Sequence, residues 1–187
     1  LVYSNGGNQL RLKNLSTGSV TPLAGTTSNS FRAAISKDGT RIAFVSERGG
    51  GDREIWTINS NGTGLTRLTN RAGEDSYPAF SPDGQRIVFT CRSTAGDICI
   101  MNADGSGFTN LTNHLSEDAH ASFFPDGSRI LFSSNRNGDY ELYSMNPDGT
   151  GQTLLFQRVG REFRASLTPD GTRVVCYGIP AGGGAAQ

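Results

Sequence analysis

The chain has 187 residues, and its 17 Lys and Arg residues balance its 17 Asp and Glu residues. A balanced charge with no Lys/Arg run argues against nucleic acid as a partner, since proteins that bind a duplex usually carry a basic face. No apolar stretch approaches the roughly 20 residues of a membrane-spanning helix, so we expect no membrane span. The 25 glycines and the absence of helical periodicity predict many short strands joined by tight turns.

Three short runs typical of strands begin the chain within residues 1–25: LVYS, QLRLKN and VTPLA. From about residue 30 one motif then recurs, as SKDGTRIAF, SPDGQRIVF, FPDGSRILF and TPDGTRVVC, at 36–44, 81–89, 124–132 and 168–176. A second motif, read as NSNGTG, NADGSG and NPDGTG, keeps the same spacing at 59–64, 102–107 and 146–151. Two motifs that share a period of about 44 residues indicate tandem structural repeats.

Each complete repeat predicts four strands, over about 30–70, 75–113 and 118–157. The Pro–Asp–Gly type of turn links the first strand to the second, because proline presets φ and glycine accepts a positive φ. The second strand is apolar on both faces, as in Ile87-Val88-Phe89, which is typical of a strand buried on both sides. Four-stranded units with this period predict an all-β fold, a β-propeller of four-stranded antiparallel blades.

The ends of the chain are out of phase with the repeats. Residues 1–25 match the second, third and fourth strands of a blade, while 162–178 supply a first and a second strand, which gives 17 strands in about four blades. Residues 180–187 predict a flexible Gly/Ala tail. The first strand at the C-terminal end could complete the N-terminal blade and close the ring by strand exchange. Alternatively, the chain is a fragment of a larger ring, or forms a homo-oligomer through unpaired edge strands or open blade faces.

The units SPDGQRIVF, NADGSG and FTNLTN, with EDSYPAFSPDG between blades, resemble the repeats of the TolB-like β-propeller family over nearly the whole chain. This resemblance implies a bacterial protein in the periplasm or outside the cell. It also implies protein or peptide partners at the channel face. Such blades occur as well in the propeller lids of prolyl-oligopeptidase-type enzymes and in oligogalacturonate lyases.

The sequence contains few groups for catalysis. It lacks the G-x-S-x-G, phosphate-loop and H-E-x-x-H motifs, and it has two histidines, His114 and His120. We therefore expect no enzymatic activity and no cofactor. Cys91 and Cys99 flank a short loop and could face each other across a hairpin, although two small buried thiols are the favoured interpretation over a disulfide.

The connections between blades hold the candidate binding site, because they edge the central channel of a propeller. Aligned positions there stay polar but differ in charge and size from repeat to repeat, which favours a ligand surface on a repeated scaffold. The candidates are Arg32, Asp75, Tyr77, Asp118, His120, Glu162 and Arg164. Asp75 and Asp118, with Glu162, could hold a cation such as calcium, and Arg32 and Arg164 could hold an anionic group. Alternatively, the acidic residues pair with arginines and cap turns.

Three arginines recur after the second strand of each repeat, and their regular placement favours a structural role. Arg48, Arg92 and Arg136 are expected to pair with neighbouring Asp52, Asp97 or Asp139. Trp56, Cys99 and Tyr143 align on the third strand, where they are expected to pack between blades.

The leading hypothesis is a non-catalytic recognition module that binds a protein or peptide at the channel face. One alternative is the propeller portion of a larger enzyme, either a peptidase lid or part of a polysaccharide-processing protein. Another is a self-associating structural module.

Overall fold

The computed structural model describes residues 1–4, 9–26, 29–92, 95–156 and 160–180, with the backbone alone for 160–164 and 178–180. These residues form 17 strands and no helix. It follows that no helix in the described ranges could cross a membrane. The strands are β1 (Val2–Ser4), β2 (Leu10–Lys13), β3 (Val20–Pro22), β4 (Ser30–Ile35), β5 (Arg41–Ser46), β6 (Glu54–Asn59), β7 (Thr66–Arg67), β8 (Glu74–Phe80), β9 (Arg86–Arg92), β10 (Gly96–Asn102), β11 (Thr109–Asn110), β12 (Asp118–Phe123), β13 (Ile130–Asn137), β14 (Asp139–Met145), β15 (Thr153–Phe156), β16 (Gly160–Leu167) and β17 (Val174–Pro180).

The strands form five antiparallel sheets, each made of strands that follow one another along the chain. We call β1–β3 the N-terminal sheet and β16–β17 the C-terminal sheet. Between them lie the first full blade (β4–β7), the second full blade (β8–β11) and the third full blade (β12–β15). The predicted all-β propeller of four-stranded blades, with its 17 strands, is confirmed.

The ring is open in this structure. Among the described residues, β16 pairs with β17 alone, and the N-terminal sheet keeps three strands. The expected closure by exchange of the C-terminal first strand is therefore not formed. An arc of blades that is part of a larger ring is the alternative that the structure supports.

Neighbouring sheets are joined by layers of apolar side chains. Along β5, Ile42 and Phe44 pack towards the N-terminal sheet, while Ala43 and Val45 pack towards the second full blade. The equivalent phenylalanines of the three full blades are completely buried, at positions 44, 89 and 132. Each second strand is therefore covered on both faces, as its sequence predicts.

The inner strand of each full blade contains a β-bulge. The pairing register shifts between Phe31 and Ala34 in β4, between Ser76 and Ala79 in β8, and between Ala119 and Ser122 in β12. A bulge inserts one extra residue into a strand and re-aims the side chain there.

Cys91 and Cys99 form a disulfide between β9 and β10 of the second full blade, so the interpretation as two buried thiols is wrong. Cys99 pairs with Phe89 in the sheet, which places it diagonally opposite Cys91. The resulting Cα–Cα distance of 5.8 Å is within the usual range for a disulfide.

Candidate functional site

Three predicted site residues occupy the bulges of the inner strands and share an unusual backbone conformation. Arg32, Tyr77 and His120 have φ angles of 51°, 53° and 58°, although none of them is glycine. Non-glycine residues with such angles are uncommon, and they cluster at ligand-binding and active sites. The fold therefore repeats one strained position in three blades and places a different side chain on each.

These three side chains stack on one another across the blade boundaries. The guanidinium carbon of Arg32 lies 4.0 Å from the centre of the Tyr77 ring. The Tyr77 and His120 rings have centroids 4.1 Å apart and meet edge to face at 63°. A cation over an aromatic face and an edge-to-face ring pair are both favourable arrangements. We call Arg32, Tyr77 and His120 the channel ladder.

The channel ladder borders a cavity of about 370 Å³ where the inner strands meet. All four inner strands, β4, β8, β12 and β16, contribute to its wall. Its lining residues are Arg32, Ala33, Tyr77, Pro78, His120, Ala121, Ser122, Ala165 and Ser166. A concave, largely apolar wall with a few polar groups is typical of a binding site.

The two predicted acidic residues lie outside that wall. Asp118 is completely buried, and its Oδ2 is 3.0 Å from Nη2 of Arg136. Asp75 is 2% exposed, and its Oδ2 has no hydrogen-bond partner in the described part of the chain. Burial raises the pKa of Asp75 to about 6, against smaller opposing effects of Thr69 and Arg71.

Neither carboxylate belongs to a metal cluster among the described side chains, where no group of three or more His, Cys, Asp and Glu is placed to hold an ion. Asp118 is already neutralised by Arg136. The alternative that an acidic residue pairs with an arginine thus describes Asp118, and a calcium ion in the channel stays an untested prediction.

Glu162 and Arg164 have side chains outside the described residues. Their backbone lies in β16, where Glu162 pairs with Gly178 of β17. The register of β16 shifts between Phe163 and Ser166, so Arg164 falls at the same kind of bulge as the channel ladder.

The recurring arginines do not pair with the expected aspartates. Arg136 pairs with Asp118, and Arg92 forms an ion pair with Glu117. Asp97 instead accepts hydrogen bonds from its own surroundings, including the backbone N–H of His114 at 3.1 Å. Sequence proximity suggested the loop aspartates, but the carboxylates that the arginines reach lie at the beginning of the inner strand or just before it.

The fold and the shared cavity define this chain as a β-propeller domain. Two family models match it: the TolB beta propeller domain over residues 1–96, and the Tricorn protease N-terminal beta propeller domain over residues 51–180. Because each match covers more than half of the chain, the chain belongs to the TolB-like β-propeller family.

Similar proteins agree with this assignment. The Tol-Pal system protein TolB of Nitratidesulfovibrio vulgaris is 39% identical over 49 residues, which are 26% of this chain and 11% of that protein. A putative TolB from Agrobacterium tumefaciens superposes with a TM-score of 0.84 at 23% identity, over 95% of this chain and 65% of that one. TolB from Acinetobacter baumannii gives a TM-score of 0.80 at 22% identity, over 97% and 47%. The chain thus spans less than two thirds of the length of these relatives.

Proposed function

We propose that this domain is a recognition module, without catalysis of its own, that binds a segment of a protein or peptide at the channel face. The observation that carries the proposal is the channel ladder, in which Arg32, Tyr77 and His120 border one cavity shared by four inner strands. The relatives named TolB support a bacterial, periplasmic setting for this activity.

The chemistry of the ladder favours a peptide segment as the ligand. Tyr77 and His120 offer ring surfaces with polar edges, and Arg32 adds a positive charge above the Tyr77 face. Aromatic and arginine side chains dominate the binding energy of protein interfaces, since they combine large contact area with directed polar groups. A cavity of about 370 Å³ accommodates a few side chains, so the ligand would insert a short extended segment.

The test is a peptide-display selection against the wild-type domain, followed by affinity measurements of the recovered peptides. Tyr77→Ala and His120→Ala should each weaken binding at least tenfold, because truncating a central aromatic residue costs more than about 1–2 kcal/mol. Tyr177→Ala is the matched control, since Tyr177 is 59% exposed on the C-terminal sheet, away from the cavity. Peptides that bind both ladder variants as tightly as the wild type would contradict the channel site.

A further inference from the structure

The third full blade contains an arginine whose surroundings are complete. The backbone N–H and Nε of Arg136 donate to Ser134 Oγ at 3.3 and 2.8 Å. Its guanidinium lies over the rings of Phe132 and Tyr143, at 5.5 and 4.6 Å. Nη2 then donates to both carboxylate oxygens of Asp118, at 3.2 and 3.0 Å.

Arg48 in the first full blade has the same surroundings except for the carboxylate. Its backbone N–H and Nε donate to Ser46 Oγ at 3.3 and 3.2 Å, and its guanidinium lies over Phe44 and Trp56 at 5.9 and 5.1 Å. Ser30 occupies the place of Asp118, because Ser30 pairs with Ser46 in the sheet as Asp118 pairs with Ser134. Arg48 forms no ion pair within the described part of the chain, and burial lowers the pKa of its guanidinium.

Two buried N–H donors remain without acceptors in this blade. Nη2 of Arg48 and Nε1 of Trp56 have no hydrogen-bond partner among the described residues. Buried donors are nearly always satisfied, so two orphans side by side call for an explanation. Both residues line a polar cavity of about 180 Å³.

The remaining wall of this cavity leaves room for an incoming group. Gly49, Gly50 and Gly51 form an exposed loop along it and contribute no side chains. Glu54 also lines the cavity, but its carboxylate is occupied by Arg67 at 2.7 Å and by the hydroxyl of Thr69. Asp52 Oδ2 accepts the backbone N–H of Gly73 at 3.1 Å.

We propose that the cavity lined by Arg48, Trp56 and the Gly49–Gly51 loop binds a carboxylate group presented by a partner molecule. Arg48 Nη2 and Trp56 Nε1 donate to the carboxylate oxygens, which takes over the role that Asp118 fills inside the third full blade. A carboxylate fits better than a phosphate, because Glu54 and Asp52 in the wall repel a dianion more strongly than a monoanion. The cavity and the channel cavity have no lining residue in common, so this site is additional to the proposed function.

The test uses the indole N–H of Trp56, the only tryptophan of the chain, which gives one indole signal in a ¹H–¹⁵N correlation spectrum. Sodium acetate is titrated at constant ionic strength against sodium chloride, with sodium phosphate as a further arm. Acetate should shift the indole proton downfield in a saturable manner, and chloride at equal ionic strength should not. Arg48→Gln should reduce the acetate shift at least tenfold at a fixed concentration, and Arg48→Lys should weaken it.

Arg92→Gln is the matched control, because Arg92 recurs at nearly the same place of the second full blade and pairs with Glu117. It should keep the full acetate response. Thermal melts of each variant show that the compared proteins are folded, and Arg48→Lys keeps the test valid if Arg48→Gln unfolds. No saturable acetate shift, an unchanged shift in Arg48→Gln and Arg48→Lys, or saturation by phosphate but not acetate would each overturn the proposal.

Discussion

The first and third full blades differ at a single buried position, and the difference separates a structural arginine from a candidate binding arginine. Arg48 and Arg136 share the same serine acceptor and the same stacking on two rings. Asp118 completes the environment of Arg136, whereas Ser30 leaves Arg48 without a carboxylate in the described structure. A repeat protein can thus turn a scaffold ion pair into a receptor for an external anion by one substitution.

The second full blade shows the reverse arrangement. Asp75 occupies the position of Asp118, but Cys91 stands where Ser134 holds the arginine, and Cys91 forms a disulfide with Cys99. The carboxylate therefore remains buried without an ion pair among the described side chains, and its pKa is raised to about 6. The three blades present the carboxylate alone, the arginine alone and the two together.

The largest expected effect comes from breaking the complete pair. Asp118→Asn should lower the free energy of unfolding by about 3–5 kcal/mol, because it leaves the charge of Arg136 buried without compensation. Glu74→Gln is the control, since Glu74 pairs with Arg53 at the surface, where an ion pair is worth about 0–1 kcal/mol. Urea unfolding at pH 7 measures both, and a loss below about 1 kcal/mol for Asp118→Asn would contradict a buried pair.

The lone carboxylate predicts a pH dependence of stability. Since the pKa of Asp75 is about 6 in the fold and near 3.8 in the unfolded chain, the folded state binds the proton more tightly between these values. Its contribution is therefore present in full below pH 4 and is lost as the pH rises through 6. Asp75→Asn should be more stable than the wild type by about 3 kcal/mol at pH 7.

That advantage of Asp75→Asn should shrink towards pH 4.5. The turn carboxylates act in the opposite direction, since hydrogen bonds from neighbouring hydroxyls and N–H groups lower their pKa, as for Asp38. Comparing the two proteins at each pH isolates Asp75 from these groups. Equal differences at pH 4.5 and pH 7 in urea unfolding would show that Asp75 does not titrate in this range.

A smaller effect should follow from rebuilding the pair in the first full blade. Ser30→Asp places a carboxylate at the position that Asp118 has in the third, so it should couple favourably to Arg48 by about 1–3 kcal/mol. A double-mutant cycle of Ser30→Asp and Arg48→Gln, followed by urea unfolding, measures this coupling. A value near zero would mean that the two blades are not equivalent at this position.

Arg48→Gln alone should have the smallest effect, within about 1 kcal/mol, because it breaks no ion pair and removes a desolvated charge. Arg136→Gln is the matched comparison and should cost clearly more in the same urea experiment, since it leaves Asp118 buried without a partner. Equal losses for the two variants would contradict the difference between the blades.

The sequence predicted the strand order and the buried second strands because both follow from a repeated pattern of turns and apolar residues. It also brought Arg32, Tyr77 and His120 to the channel, since their alignment relative to the Pro–Asp–Gly turn places them on one rim. The bulges could not be predicted, because a positive φ at Arg, Tyr or His has no signal in residue type. The partners of Arg92 and Arg136 were missed for a related reason: they lie about 20 residues away in sequence and meet the arginines only through strand pairing.

One feature of the sheets bears on how the molecule is made. Every hydrogen-bonded ladder joins strands that are consecutive in the chain, so each blade is a meander of hairpins with short loop closures. Short-range pairings form faster than distant ones, and domains generally fold as their segments emerge during synthesis. A nascent chain can therefore finish one blade before the ribosome has delivered the next, and each finished blade offers an apolar template on which its successor condenses.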